Sequence, residues 1–405
     1  MGDWVVMTEW AEFAVRWLHV VTGIAWIGSS FYFIALDLGL RKAPGLPEGV
    51  HGEEWQVHGG GFYHIQKYLV APERLPEHLT WFKWESYATW MSGFAMLVLV
   101  YWLGADLFLI DPNVADLAGW QAMALSGGSL VVGWFAYDAL CRSPLGRDNR
   151  VLMVLLYGVL VALAWGYTQV FTGRAALLHL GAITATVMSA NVFLVIIPNQ
   201  KIVVADLKAG RVPDPKYGAI AKQRSTHNNY LTLPVLFLML SNHYPLAFAT
   251  QWNWVIASLV FLMGVTIRHY FNTLHARRAA PNWTWAATAL LFIAIMWLST
   301  EPGAEHAPAL TPGQAALMQS EGFEEVAGVV MGRCSMCHAA EPGWPGVHQA
   351  PRGVRLDSPE EVARHARGIH VQAALSRAMP PANVSFMEEG ERALLRAWFA
   401  RAAGG

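Results

Sequence analysis

The feature that most constrains this chain is a series of apolar runs, each about 20 residues long, that fills its first 300 residues. A helix needs about 20 mostly apolar residues to cross the hydrocarbon core of a bilayer. Only 14% of the 405 residues are charged, against about 25% in a typical soluble protein. The runs predict about eight transmembrane helices, at 11–36, 85–104, 120–140, 151–171, 175–197, 231–248, 252–272 and 283–300.

The composition changes near residue 300, where a segment containing Pro and Gly ends the last apolar run. Pro and Gly at such a position end a helix and begin a linker. The remaining residues contain nine Arg and no Lys, with Pro and Gly in short clusters. We therefore predict an all-α protein, with a transmembrane bundle over 1–300, a linker over 301–318 and a second domain over 319–405.

Positive charges are distributed unequally between the loops of the predicted bundle. Seventeen Lys and Arg lie in the loops after the first, third, fifth and seventh spans, whereas the opposite loops hold only Arg174. Cytoplasmic loops carry the excess of Lys and Arg, so the N-terminus is expected outside, and after eight spans the C-terminus as well. The net charge of −1 gives the whole chain no electrostatic preference for nucleic acid.

The second domain contains Cys334, Cys337 and His338 in a C-x-x-C-H pattern, which is the attachment site of haem c. The two thiols bond covalently to the haem, and the adjacent His is placed to coordinate its iron. Zinc is the alternative for such a pair, but it requires two further ligands at finger-like spacing, and no second Cys pair exists. Haem c is attached on the outer face of the bacterial inner membrane, where the charge pattern also places this domain.

The second axial ligand of the iron is expected downstream of the C-x-x-C-H pattern. Met379 precedes two consecutive prolines, which would hold its thioether rigidly, and we predict that it binds the iron together with His338. Met387 is the competing candidate. His/Met ligation raises the reduction potential of a haem and suits electron transfer. The residues from Met379 onwards look like the C-terminal half of class I cytochromes c, including a predicted final helix over 388–402.

Polar side chains interrupt the apolar spans at two depths. Near the outer face lie His19, His179, Asn242 and His243. Near the cytoplasmic face lie Asn199, Gln200, Lys201, His227, Asn228, Asn229, Arg268 and His269. His227 and His243 are 16 residues apart, which is about 24 Å along a helix, so one small ligand cannot touch both groups.

Each polar group has a functional and a structural interpretation, because ionisable residues in spans are functional candidates but also bond helices together. In the outer group, His19 and His179 are candidate ligands of a b-type haem, or they form hydrogen bonds between helices. In the inner group, the segment around His227 is a candidate binding site, or it provides a helix N-cap and solvated interface residues.

Several segments resemble the bacterial membrane-bound, cytochrome c-linked urate oxidases over nearly the whole chain. The resemblance is carried by residues 16–31, 81–94, 189–201 and 225–245, together with the C-terminal cytochrome pattern. The most specific segment is STHNNYLTLPVLFLMLSNHYP at 225–245. The resemblance implies oxidation of urate to 5-hydroxyisourate, with electrons passed to the respiratory chain through a soluble or membrane cytochrome c and a terminal oxidase.

If the chain oxidises urate, the inner group is the expected substrate site. We expect His227 to act as the base and Asn228 and Asn229 to orient the purine ring. Asn199, Gln200 and Lys201 are the expected substrate-binding residues, because amides read hydrogen-bonding edges and a lysine balances the charge of the urate anion.

Two other functions are compatible with the residues alone. One is a transporter that handles haem or copper and carries a redox domain. The other is a subunit of a quinol:cytochrome c reductase, which would reduce its haem with quinol and ignore purines.

Overall fold

The computed structural model describes residues 2–70, 72, 75–300, 309–347 and 350–402. The described chain is mostly helical, as predicted. Ten helices form the N-terminal bundle: α1 (Gly2–Gly39), α2 (Trp84–Met96), α3 (Ala105–Phe108), α4 (Gly119–Arg142), α5 (Asn149–Thr168), α6 (Gly173–Ala190), α7 (Ile197–Lys208), α8 (Pro215–Ser241), α9 (Asn253–His275) and α10 (Trp283–Thr300).

Two of these helices continue into a π-helical turn. The turn Leu97–Trp102 follows α2, and the turn Asn191–Ile196 joins α6 to α7 without a break. A π-helical turn contains one more residue than an α-helical turn and is frequent at functional sites. In the second case it starts at Asn191, a buried polar residue that donates a hydrogen bond to Asn228 of α8.

Six helices of the described chain are long and apolar enough to cross a membrane: Val6–Gly39, Gly119–Arg142, Asn149–Thr168, Gly173–Lys208, Asn253–His275 and Trp283–Thr300. They cover six of the eight predicted spans. The predicted span 85–104 corresponds to the shorter α2 and its π-helical turn. The predicted span 231–248 is the second half of α8, which begins with a polar segment and ends at Ser241.

A two-stranded antiparallel hairpin is the exception to the all-α prediction. Strand β1 (Val50–His58) pairs with β2 (Gly61–Tyr68) in the long connector between α1 and α2. Gly59 and Gly60 both have positive φ, which a two-residue hairpin turn of this hand requires. An ion pair between Lys67 and Asp37, with an N–O distance of 2.6 Å, ties the hairpin to the end of α1.

Close helix contacts occur where one partner is glycine. At Gly264 of α9, an added Cβ would lie 2.5 Å from Cδ of Pro234, the proline inside α8. At Gly93 of α2, it would lie 2.8 Å from Cε1 of His19 on α1. In a bilayer the hydrophobic effect does not drive helices together, and small residues allow the close van der Waals packing that does.

The C-terminal domain contains five helices in its described part: α11 (Pro312–Met318), α12 (Phe323–His338), α13 (Pro359–Arg364), α14 (Ala366–Ile369) and α15 (Glu389–Ala402). The last agrees with the predicted final helix. Val326 and Val330 of α12 pack with Leu395 and Trp398 of α15 in a separate apolar core. The predicted linker 301–318 lies outside the described residues over 301–308, and α11 occupies its end.

The C-terminal domain contacts one end of the bundle. Arg367 lies 3.7 Å from Glu9 and 4.0 Å from Glu12, both on the first part of α1. A Cβ on Gly353 would lie 3.3 Å from Pro245, which follows α8. The domain therefore sits at the end of α8 that is distant from the polar segment around His227.

We predict that Gly264→Ala destabilises the bundle by about 1–3 kcal/mol, because the new methyl group overlaps Pro234 and α8 must move. Gly128→Ala is the control, since no atom lies within 4 Å of the added Cβ at that position. Thermal unfolding of the purified protein in detergent measures the difference. Equal melting temperatures for the two variants would contradict the close packing of α8 against α9.

Candidate functional site

The inner polar group centres on three consecutive residues of α8, namely His227, Asn228 and Asn229, all of which are buried. Successive residues on an α-helix point about 100° apart. The three side chains accordingly contact different neighbours: His227 contacts α4, Asn228 contacts the end of α6 and the π-helical turn, and Asn229 contacts α9. The sequence predicts that they act together, whereas the structure distributes them around the helix.

His227 makes one side-chain hydrogen bond with the described residues. Its Nδ1 lies 2.8 Å from the hydroxyl oxygen of Tyr137 on α4, and either group can be the donor. The same hydroxyl accepts a hydrogen bond of 3.0 Å from Nδ2 of Asn191. Nε2 of His227 makes no hydrogen bond with any described residue, so the Tyr137 contact alone orients the ring.

A buried ion pair lies beside this histidine. Arg224 is only 2% exposed, and its Nη2 donates a hydrogen bond of 2.7 Å to Asp138 of α4. The guanidinium also covers the Tyr137 ring, with 4.9 Å between its Cζ and the ring centroid. Asn191 completes the network, donating to Asn228 at 2.9 Å. A buried charge needs such a partner, because an unpaired one costs several kcal/mol.

A cavity of 520 Å³ borders the network on the side of His227. Its walls are almost entirely apolar, formed by residues such as Val154, Leu160, Ile183 and Phe261. His227 and Tyr137 are among the few polar residues that line it. The volume is within the range of small-molecule sites, but the walls offer few partners to a polar ligand.

Asn229 belongs to a second polar cluster, on the opposite side of α8. Its Oδ1 accepts hydrogen bonds from Nδ2 of Asn272 at 2.8 Å and from Nε of Arg268 at 3.4 Å. Nη2 of Arg268 donates to Oδ1 of Asn272 at 2.9 Å. The Arg268 guanidinium lies over the ring of Phe31 on α1, with 3.9 Å from its Cζ to the ring centroid.

The predicted substrate-binding residues Asn199, Gln200 and Lys201 lie on α7, outside both clusters. Gln200 and Lys201 are exposed, and Asn199 is half-buried. They lie on the first turn of α7, directly after the π-helical turn Asn191–Ile196.

The outer group contains a closed chain of hydrogen bonds around His179, which has no exposed surface. Its Nδ1 donates to the carbonyl of Ala175 at 2.7 Å, so its Nε2 is the acceptor for the Ser126 hydroxyl, also at 2.7 Å. That hydroxyl oxygen accepts from Nε1 of Trp102 at 2.9 Å. An iron atom would have to displace Ser126 from the same lone pair.

The hydrogen bonds of His19 leave one of its ring nitrogens available to iron. Its Nδ1 donates to the carbonyl of Thr89 at 2.9 Å, which leaves Nε2 without a hydrogen bond to any described residue. His19 thus retains a nitrogen for iron, but His179 does not. The pair does not fit bis-histidine ligation of a b-type haem.

The C-x-x-C-H residues occupy the last turn of α12. Cys334 and Cys337 are free thiols, and Nδ1 of His338 donates to the carbonyl of Val354 at 2.8 Å. Metal-binding histidines commonly donate their second nitrogen in this way, which fixes the ring and leaves Nε2 for the metal. Met379 is 37% exposed, whereas Met387 is 3% exposed and packs in the domain core. The residues Cys334, Cys337 and His338 therefore fit a covalently held haem with His338 as a ligand of its iron, and Met379 as the second ligand stays a prediction.

Sequence reasoning missed Tyr137, Asp138, Asn191 and Asn272. One signal was available, since Asp138 is the single acidic residue in the predicted span 120–140. An acid inside an apolar helix requires a partner and marks a polar site.

The family model described as "Urate oxidase N-terminal" matches residues 5–299. No curated protein and no solved structure matches the chain. The match covers the whole helical bundle, including both inner clusters and the outer histidines, and ends where the C-terminal domain begins. The chain therefore belongs to the family defined by the urate oxidase N-terminal domain.

Proposed function

We propose that the bundle oxidises urate to 5-hydroxyisourate and that the electrons leave through one haem c in the C-terminal domain. The observation that carries this proposal is the family match over 5–299, joined in one chain to a C-x-x-C-H domain whose His338 is oriented for a metal. Urate and water give 5-hydroxyisourate, two protons and two electrons. Cys334, Cys337 and His338 would hold the haem c, which would supply transfer of these electrons, one at a time, to a cytochrome c or a terminal oxidase.

The inner clusters supply the groups that the reaction needs at the substrate. His227 is the proposed base: its ring is held by the hydrogen bond between its Nδ1 and the Tyr137 hydroxyl, 2.8 Å apart, and the imidazole can take up a proton. Asn228 is held by Asn191 and keeps this network in place, while Asn229 is proposed to contact the purine ring. Asn199, Gln200 and Lys201 are proposed to attract the urate anion as it approaches the bundle.

We place the bundle in the bacterial inner membrane with its C-terminal domain in the periplasm. Two observations support this orientation. The excess of Lys and Arg lies in the loops at the end of the bundle that holds His227. The C-terminal domain contacts the other end, at Pro245 and at the start of α1.

One observation favours a second candidate function, the oxidation of quinol. The apolar cavity beside His227 suits a lipophilic ring better than a purine, and the His227 imidazole that lines it offers a hydrogen-bonding partner for a quinol hydroxyl. In that case the protein would be a quinol:cytochrome c reductase.

The first test distinguishes the two functions with the oxidised, purified protein under anaerobic conditions. We expect urate to reduce the haem, with two haems reduced for each urate consumed, and 5-hydroxyisourate to appear. A short-chain quinol should leave the spectrum unchanged. Reduction by quinol and not by urate would replace the proposed function with the second candidate.

The second test concerns the axial methionine. Met379→Ala should lower the reduction potential of the haem, because thioether ligation raises it. Met387→Ala should leave the potential unchanged but destabilise the domain by about 2–5 kcal/mol, because it opens a cavity in the core. Redox titration and thermal unfolding give the two readouts. The reverse pattern would transfer the ligand role to Met387.

The third test concerns haem content. Since the His19 and His179 pair does not fit a b-type haem, we expect one haem per chain, and that haem should remain bound to the denatured polypeptide. His179→Ala should not change the haem count, and it should destabilise the bundle by about 1–3 kcal/mol by leaving Ser126 without its acceptor. A second, extractable haem that is lost in His179→Ala would show instead that this histidine binds iron.

A further inference from the structure

The bundle contains two deeply buried arginines that differ in one respect. Arg224 is 2% exposed and is paired with Asp138. Arg268 is 4% exposed, and no carboxylate of the described residues lies within ion-pair distance of it. Its neighbours are the neutral amides of Asn229 and Asn272 and the ring of Phe31. A buried guanidinium without a counter-charge is costly, so this position calls for an anion.

Hydrogen-bonding capacity is also unused beside Arg268. Nδ2 of Asn229 is buried and has no partner among the described residues, although the residue is only 1% exposed. The orientation of this amide is determined by its Oδ1, which accepts from both Asn272 and Arg268. Nδ1 of His275, further along α9, is likewise buried without a partner in the described chain. Buried polar atoms are nearly always paired, so these atoms point to a missing ligand.

The chemistry of the cluster favours a small planar anion. A guanidinium presents parallel donors that match two adjacent acceptors on a flat molecule, and the Asn229 amide adds a donor at its side. The guanidinium lies over the face of the Phe31 ring, which fixes the plane of its donors. Urate is a planar purine anion with carbonyl and ring-nitrogen acceptors along its edges.

We propose that Arg268, Asn229 and Asn272 form the binding site for the urate anion. This assignment rests on the proposed function and adds its binding residues. The apolar cavity beside His227 is a separate space on another side of α8, and urate bound at Arg268 does not enter it. In this arrangement His227 does not contact urate directly, and the proton that urate releases would have to reach His227 through water. Asn272 and His275 are half-buried, and they lie at the end of α9 from which the anion would enter.

The test uses two substitutions that eliminate the unpaired positive charge of Arg268 in different ways. Arg268→Gln deletes the charge. Asn229→Asp keeps the size of the side chain but supplies the missing carboxylate, which copies the pairing of Arg224 with Asp138. We expect both variants to bind urate at least about tenfold more weakly than the wild type, because charge-assisted hydrogen bonds to the anion are lost. Arg278→Gln, an exposed charge deletion after the same helix, is the control and should bind normally.

Binding is measured by equilibrium dialysis of urate against the full-length protein with its haem chemically reduced, so that no turnover occurs. Asn229→Asp should keep the wild-type melting temperature or exceed it, because the buried guanidinium gains a partner. This variant therefore decides the question if Arg268→Gln does not fold. If the folded Asn229→Asp protein binds urate with wild-type affinity, the assignment of Arg268, Asn229 and Asn272 as the urate site is wrong. If the wild type itself neither binds urate nor is reduced by it, the proposed function fails instead.

Discussion

The ion pair between Arg224 and Asp138 is the interaction on which the inner half of the bundle depends. It joins α8 to α4 across 2.7 Å, and the Arg224 side chain is almost fully withdrawn from solvent while Asp138 is partly exposed. The guanidinium covers the Tyr137 ring, and the Tyr137 hydroxyl in turn is hydrogen-bonded to Nδ1 of His227. The paired charge therefore helps to position the His227 ring.

Helix α8 separates two chemical environments. On the side of His227 the charge of Arg224 is matched by Asp138, and the polar groups border an apolar cavity. On the side of Asn229 the charge of Arg268 is unmatched by any described carboxylate, and donors remain free. A charge with a partner holds a geometry, whereas a buried charge without one is costly. The same three-residue segment thus contributes to both environments by projecting its side chains in different directions.

Much of the architecture followed from the sequence, and the reason is physical. Long apolar runs and the C-x-x-C-H pattern are local signals, so helices such as α10 (Trp283–Thr300) and α15 (Glu389–Ala402) agreed with their predicted limits to within a residue. The hairpin was missed because its strands lie inside a connector without a strong apolar alternation. The partners of the site residues were missed because Asp138, Asn191 and Asn272 become neighbours of α8 only through tertiary packing.

The π-helical turn Asn191–Ile196 has a consequence for how this bundle tolerates change in length. Such a turn is equivalent to one residue inserted into a continuous helix. Deleting a single residue within it would restore regular α-helical geometry and leave α6 and α7 in their present relation, because the widened turn already accommodates the extra residue. The same deletion in the regular part of α6 would instead rotate α7 by about 100°. This turn is therefore a place where the helix can lose one residue without α7 presenting a different face, although Asn191 would lose the wide turn that it begins.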